Sequence, residues 1–314
     1  MSYWGEVTNT PLLNVRDGGE ICINNGGSLL LTNLYSASGI TDRKIYIGNE
    51  SAGKLAIRDG GTFVIGLPDM AQTNVQINIG YGNKSCGELE MTGASQLIMQ
   101  KQVHQSCFYV GNGGGSSGTL SLADNALCIV SNTVFVGFTG NAATGIVTLA
   151  NNAQMIVDGK SSYGLGYGDN AYGELTVNDN AVWDGMCPYD MQFYVGRNAG
   201  TGRLNVNGGS VLIRNFFYVG YDGNGYLNMT DGYVRADGQY DRGLTIGLAL
   251  GSRAVDAALT MSGGTVTNRS FFFVGQGMNA TGVVSQTGGD VVQGVGNYAD
   301  CIFVGFGGGN GSYT

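Results

Sequence analysis

Apolar and polar residues alternate with a period of two along most of this chain, and glycine interrupts the alternation at regular places. That pattern reads as short half-buried strands, and no stretch keeps the 3.6-residue period of a helix over a useful length. The most regular unit is a tetrad, apolar-x-apolar-Gly. It occurs ten times: Ile45-Tyr46-Ile47-Gly48, Ile77-Asn78-Ile79-Gly80, Phe108-Tyr109-Val110-Gly111, Val134-Phe135-Val136-Gly137, Tyr163-Gly164-Leu165-Gly166, Phe193-Tyr194-Val195-Gly196, Phe217-Tyr218-Val219-Gly220, Leu244-Thr245-Ile246-Gly247, Phe272-Phe273-Val274-Gly275 and Ile302-Phe303-Val304-Gly305. The intervals run from 24 to 32 residues. A recurrence of that length is the mark of stacked-repeat architectures, in which each repeat contacts only its neighbours.

A second block follows each tetrad after a polar turn. Its clearest copy is Gly202-Arg203-Leu204-Asn205-Val206-Asn207-Gly208-Gly209-Ser210-Val211, and Gly173 to Val182 and Gly118 to Leu127 repeat it. The turn inside this block holds Gly208-Gly209, Gly263-Gly264, Gly288-Gly289, Asp231-Gly232, Asp124-Asn125, Asn151-Asn152 and Asp179-Asn180. Gly, Asn and Asp tolerate left-handed backbone angles at low cost, so the position is selected for geometry and needs no ligand. Each repeat therefore holds three short strands.

Period-two alternation also sorts side chains by face. The flanking residues of each tetrad, such as Phe193 and Val195 or Ile302 and Val304, fill the interior. The middle residues Tyr46, Asn78, Tyr109, Phe135, Gly164, Tyr194, Tyr218, Thr245, Phe273 and Phe303 point outward, and seven of these ten are aromatic. The candidate binding residues are those seven: Tyr46, Tyr109, Phe135, Tyr194, Tyr218, Phe273 and Phe303. Stacked rings on an outer face offer apolar area to a sugar or a protein partner. The plainer reading is that they stabilise adjacent strands or lie under a loop. The middle position of Leu-x-Val carries small polar residues, Ser121, Thr148, Thr176, Asn205, Asn228, Thr260 and Ser285, which need no function. Two charge pairs test the alignment: Lys54 with Glu88, and Glu174 with Arg203, should lie side by side on neighbouring layers.

The pattern Val-Gly followed by Gly-x-Leu-x-Val-x-x-Gly-Gly-x-Val resembles the repeats associated with type V secretion and PEP-CTERM proteins. It is also similar to the β-strand repeats of bacterial autotransporter passengers. The resemblance spans residues 19–314 and implies a right-handed parallel β-helix outside the cell or on its surface. It brings no catalytic residues with it. No export signal, PEP-CTERM anchor or translocator barrel is visible, so the chain looks like one passenger segment or a fragment of a gene.

Composition narrows the picture further. The formal net charge of −8 and scattered Lys and Arg disfavour nucleic acid, which needs a basic stripe. No apolar run approaches the ~18 residues of a membrane span. The six cysteines, Cys22, Cys86, Cys107, Cys128, Cys187 and Cys301, show no C-x-x-C spacing, so no zinc site is expected, and they read as small buried hydrophobes. One or two bridges stay open from sequence alone.

Catalysis finds little support. Glycoside hydrolysis needs two carboxyl groups ~5 to 10 Å apart, and none of the outward tetrad positions is acidic. Glu88 and Glu90 both point outward but have no third group to tune them. The lone histidine, His104, sits in a polar stretch without an evident partner. Turns such as Tyr167-Gly168-Asp169-Asn170 and Gly220-Tyr221-Asp222-Gly223-Asn224-Gly225 look superficially like calcium loops, yet lack the regular ligand pattern. No metal and no cofactor are expected.

The expectation is an all-β, right-handed, single-stranded parallel β-helix of about ten rungs of ~28 residues. It forms one domain over 1–314: N-terminal partial repeats or a cap at 1–44, regular repeats at 45–301 and a truncated last repeat at 302–314. A non-catalytic structural or adhesin segment, extracellular or on the bacterial cell surface, is the expected function, with a surface glycan or protein receptor as partner. The uncapped last repeat suggests either a cut from a longer passenger or end-to-end self-association into a filament. A carbohydrate-active β-helix is the third reading.

Overall fold

The computed structural model describes residues 12–31, 42–66, 74–100, 106–131, 133–140, 142–159, 162–186, 192–214, 216–238, 243–294 and 301–314. Within them the chain is all strand and turn, and it winds into a parallel β-solenoid with three faces. The tetrads make the first face, an eleven-stranded parallel sheet that climbs from Leu13–Val15 through Asp42–Asn49 and Phe216–Tyr221 to Ile302–Phe306. The Leu-x-Val blocks make the second face, from Gly19–Ile23 to Asn310–Tyr313. The segments after the inner turn make the third, from Ser28–Leu31 to Asp290–Gln293. In two layers the strand runs through the corner, so that Thr201–Ile213 and Asn224–Ala236 each serve both faces. At ~4.8 Å per layer, the stack is roughly 50 Å long.

Register holds across the whole first face. Tyr46 pairs with Asn78, Asn78 with Tyr109, Tyr109 with Phe135, Phe135 with Gly164, Gly164 with Tyr194, Tyr194 with Tyr218, Tyr218 with Thr245, Thr245 with Phe273 and Phe273 with Phe303. Both charge pairs also fall side by side, Lys54 opposite Glu88 and Glu174 opposite Arg203.

The interior is built from matching columns. Leu55, Leu89, Leu120, Val147, Leu175, Leu204, Leu227, Leu259 and Val284 stack on the second face and are fully buried. Burying each such side chain contributes about 1.5–3 kcal/mol before chain entropy is subtracted. Mid-rod, rings replace aliphatics: Phe193 lies between Tyr163 and Phe217, with centroid distances of 5.0 and 5.5 Å, and Trp183 packs beside it. Ile302 and Val304, expected inside, are 45% and 50% exposed, because the last described layer has no further layer upon it.

Glycine serves two separate ends at the corner between the first and second faces. The tetrad glycine has positive φ, 81° at Gly196, and a Cβ there would stand 1.8 Å from the Asn224 carbonyl oxygen. The glycine that opens the second block is excluded from carrying a side chain by space alone. A Cβ on Gly87 would meet both the Gly80 nitrogen and the Ile47 oxygen at 2.1 Å. One layer departs from the rule: Ala257 takes this place between Gly225 and Gly282, where the preceding turn is longer.

The turn after Leu-x-Val behaves as its residue types require. Asp124, Asn151 and Asp179 have φ of 62, 59 and 54°. Their side chains also link the layers, with Asn151 Nδ2 donating to Asp124 Oδ1 at 3.0 Å and Asp179 Oδ2 accepting from the Asn151 amide at 3.1 Å. A buried amide closes a different corner. Asn268 Oδ1 accepts from the Leu244 amide at 3.0 Å, and its Nδ2 donates to the Ser270 and Phe271 carbonyls and to Gln293 Oε1.

Candidate functional site

The seven aromatic candidates stand in one column on the outer side of the first face, but they are less open than alternation implies. Tyr46, Tyr109 and Tyr194 are buried, whereas Phe135, Tyr218, Phe273 and Phe303 are half-buried. The reason is a second outward column that the period-two rule does not reveal. Positive φ at the tetrad glycine resets the alternation, so the residue after the glycine faces outward as well. This column runs Asn49, Tyr81, Asn112, Phe138, Tyr167, Arg197, Tyr221, Leu248, Gln276 and Phe306 in register. Half of its members are aromatic, which was the available signal.

The two columns interlock. Tyr81 packs on Tyr46 with centroids 4.9 Å apart, and Phe138 packs on Tyr109 at 4.9 Å and on Phe135 at 4.4 Å. Tyr221 meets Tyr194 edge-on at 5.2 Å and Tyr218 at 5.1 Å. Near the C-terminal end Phe271, Phe273, Phe303 and Phe306 form a cluster, with Phe273 and Phe303 stacked at 5.0 Å. Each such ring pair adds about 0.5–1.5 kcal/mol beyond area burial, so part of this surface stabilises the rod.

Arg197 occupies the centre of the second column. Its guanidinium carbon lies 4.8, 4.1 and 5.1 Å from the ring centres of Tyr167, Tyr194 and Tyr221. A cation held among three rings is worth ~0.5–2 kcal/mol and bridges three layers. Burial pushes the Tyr194 hydroxyl well above its ordinary pKa, while the neighbouring Arg197 charge pulls the other way. In the N-terminal part of the stripe, Asn112 Nδ2 donates to the buried Asn78 Oδ1 at 2.9 Å.

Two carboxylates on the second face, Glu88 and Glu90, are committed to cations. Lys54 Nζ lies 2.7 Å from Glu88 Oε1 and 2.8 Å from Glu90 Oε2, and Arg58 holds Glu90 through two bonds of 3.2 and 2.8 Å. The Arg58 bonds, then the Lys54 bond, hold the Glu90 carboxyl below the usual range, so it cannot act as a general acid near neutrality. Glu174 takes hydrogen bonds from Tyr172 and Asn205, and Arg203 lies over the Tyr226 ring at 5.7 Å.

Cys128 alone of the described thiols is fully buried, and desolvation pushes its pKa up to about 12. Cys22, Cys86 and Cys301 are exposed and Cys107 half-buried, contrary to the expectation of buried thiols. These side chains point outward or sit at corners. Cys187 and His104 lie outside the described residues. Among the described residues no group of three or more His, Cys, Asp or Glu is placed to hold a metal ion, and no helix is long and apolar enough to cross a membrane. No protein-family model matches the chain, and comparison with curated proteins and with solved structures likewise finds no match.

Proposed function

We propose that the chain is a non-catalytic structural or adhesin segment, extracellular or attached to a bacterial cell surface, that presents its outer first face to a glycan or a protein receptor. The observation that carries this reading is the pair of in-register outward columns. They set similar chemistry at ~4.8 Å steps along a rigid rod, so weak contacts can add along its length. The accessible part of that surface is Phe135, Tyr218, Phe273 and Phe303 with Phe138, Tyr167, Tyr221 and Phe306 of the second column. Tyr46, Tyr109 and Tyr194 act as its buried support.

The test is a glycan array together with a receptor overlay, using the parent protein and a Phe135→Ser, Tyr218→Ser, Phe273→Ser triple variant. Loss of binding with an unchanged strand signal in circular dichroism is the expected result. Binding equal to the parent's would clear the stripe of this role, and a parent that binds nothing would leave the display reading without support.

A further inference from the structure

One corner of the rod departs from its repeat. Between the first and second faces, the turn in the layer of Leu244–Leu248 spans six residues, 249–254, where the two preceding layers use three, 198–200, and two, 222–223. The extra residues fold back along the rod as a lip. Asp222 Oδ1 accepts from the Leu250 amide at 2.9 Å, and Asn279 Nδ2 donates to the Gly251 carbonyl at 2.9 Å, so the lip is fastened from both sides. Arg253 reaches back to the turn of Tyr163–Tyr167, three layers or roughly 14 Å away, and pairs with Asp169 at 3.6 Å. Under the lip lies a groove of about 350 Å³ lined by Asp169, Asn198, Asp222, Gly251, Ser252 and Arg253.

We propose that this groove binds a neutral saccharide unit. Its lining contains carboxylate acceptors in Asp169 and Asp222, an amide that both donates and accepts in Asn198, a hydroxyl in Ser252 and guanidinium donors in Arg253. Such a mixture suits adjacent hydroxyls, each of which donates once and accepts twice. The alternatives fit less well. Among the described residues no apolar or aromatic side chain lines the groove, so an apolar ligand gains little there. An anion would face two carboxylates. A divalent cation would need oxygens converging to ~2.3–2.6 Å, but Asp169 and Asp222 stand two layers apart and the Arg253 guanidinium already pairs with Asp169. The volume lies at the lower end of the ~300–1,000 Å³ of small-molecule sites, which suits one or two sugar rings. The place has a further advantage. Asp169, Asn198 and Asp222 lie just beyond Tyr167, Arg197 and Tyr221 in the chain, so the groove borders the outer column of the aromatic stripe. An oligosaccharide chain lying on the rings would have its next unit at the groove. The inference goes beyond the display reading, because the groove is a discrete site with its own residues.

The experiment measures binding of immobilised neutral hexose and N-acetylhexosamine oligosaccharides, followed by calorimetry with the best binder. It compares the parent protein, an Asp169→Ala, Arg253→Ala double variant and the stripe triple variant. Both substituted groove residues are well exposed and Asp169 has ordinary backbone angles, so the fold should tolerate the change; thermal melting checks this. An Asp169→Asn variant keeps one acceptor and should retain part of the affinity. The expected result is roughly tenfold weaker binding in the double variant, as for loss of charged hydrogen bonds. Equal loss in the stripe variant would mark one oligosaccharide spanning both surfaces and also supports the groove. Binding unchanged in the double variant overturns the groove, and if the stripe variant alone loses binding, the display reading survives it. No binding of any neutral saccharide by the parent also overturns the proposal.

Discussion

Gly196→Ala lowers the stability of the rod by about 4 kcal/mol or more, among the largest effects a single substitution can have. Two costs add at this position. The left-handed angle, φ of 81°, carries about 1–2 kcal/mol for a residue with a Cβ. The new Cβ would also stand 1.8 Å from the Asn224 carbonyl oxygen and 2.4 Å from its carbon. Asn224 opens a strand paired with Thr201, so relieving the clash means separating two layers. Gly18→Ala is the control. Its φ is 76°, yet nothing lies within 4 Å of the added atom, so it should lose only the backbone cost. Urea midpoints of the two variants separate sterics from backbone strain, and equal shifts would show that the corner is not tight.

Phe193→Ala costs about 3–5 kcal/mol, the range for a fully buried ring truncated to a methyl group. Phe193 is completely buried and fills the interior between Tyr163, Phe217 and Trp183. The location of the loss is as informative as its size. A solenoid layer is stabilised by itself and its two neighbours, so damage stays local at first. Hydrogen exchange should quicken in Tyr163–Tyr167, Gln192–Arg197 and Phe216–Tyr221 while strands such as Cys86–Met91 keep their protection. Uniform loss of protection along the rod would mean that it unfolds as one unit.

Much of the architecture is legible because a stacked fold repeats its constraints. The tetrad glycines, the Asp and Asn residues of the inner turn and the pairing of Lys54 with Glu88 all follow from a period and an alternation. The candidate surface is harder to read for a physical reason. Alternation assumes negative φ throughout, and it fails one residue after each tetrad glycine. Tyr81, Phe138, Tyr167 and Tyr221 therefore turn outward and crowd the expected ladder, and Tyr167 and Tyr221 pack against the buried Tyr194. Gly87 and Gly118 are fixed by something alternation does not show, the absence of room for any Cβ. The groove escapes the periodic reading because it is made by a departure from the period, the six-residue turn at 249–254. Asp169 and Asp222 do stand out in the sequence as calcium-like turns. Backbone geometry accounts for one residue of each turn, since Asn170 and Asp222 occupy the left-handed region with φ of 55 and 48°.

All of these expectations depend on successive layers adding equal increments of length. Spin-label distances along one outward column measure that increment in solution. Ser121 and Asn228 are four register steps apart on the second face, and Ser121 and Ser285 are six. Labels are placed at these positions as cysteine variants, with the other native cysteines replaced by serine and the buried, unreactive Cys128 kept. The account predicts separations of ~19 and ~29 Å, before the length of the label itself. Distances that do not grow in that proportion would contradict it.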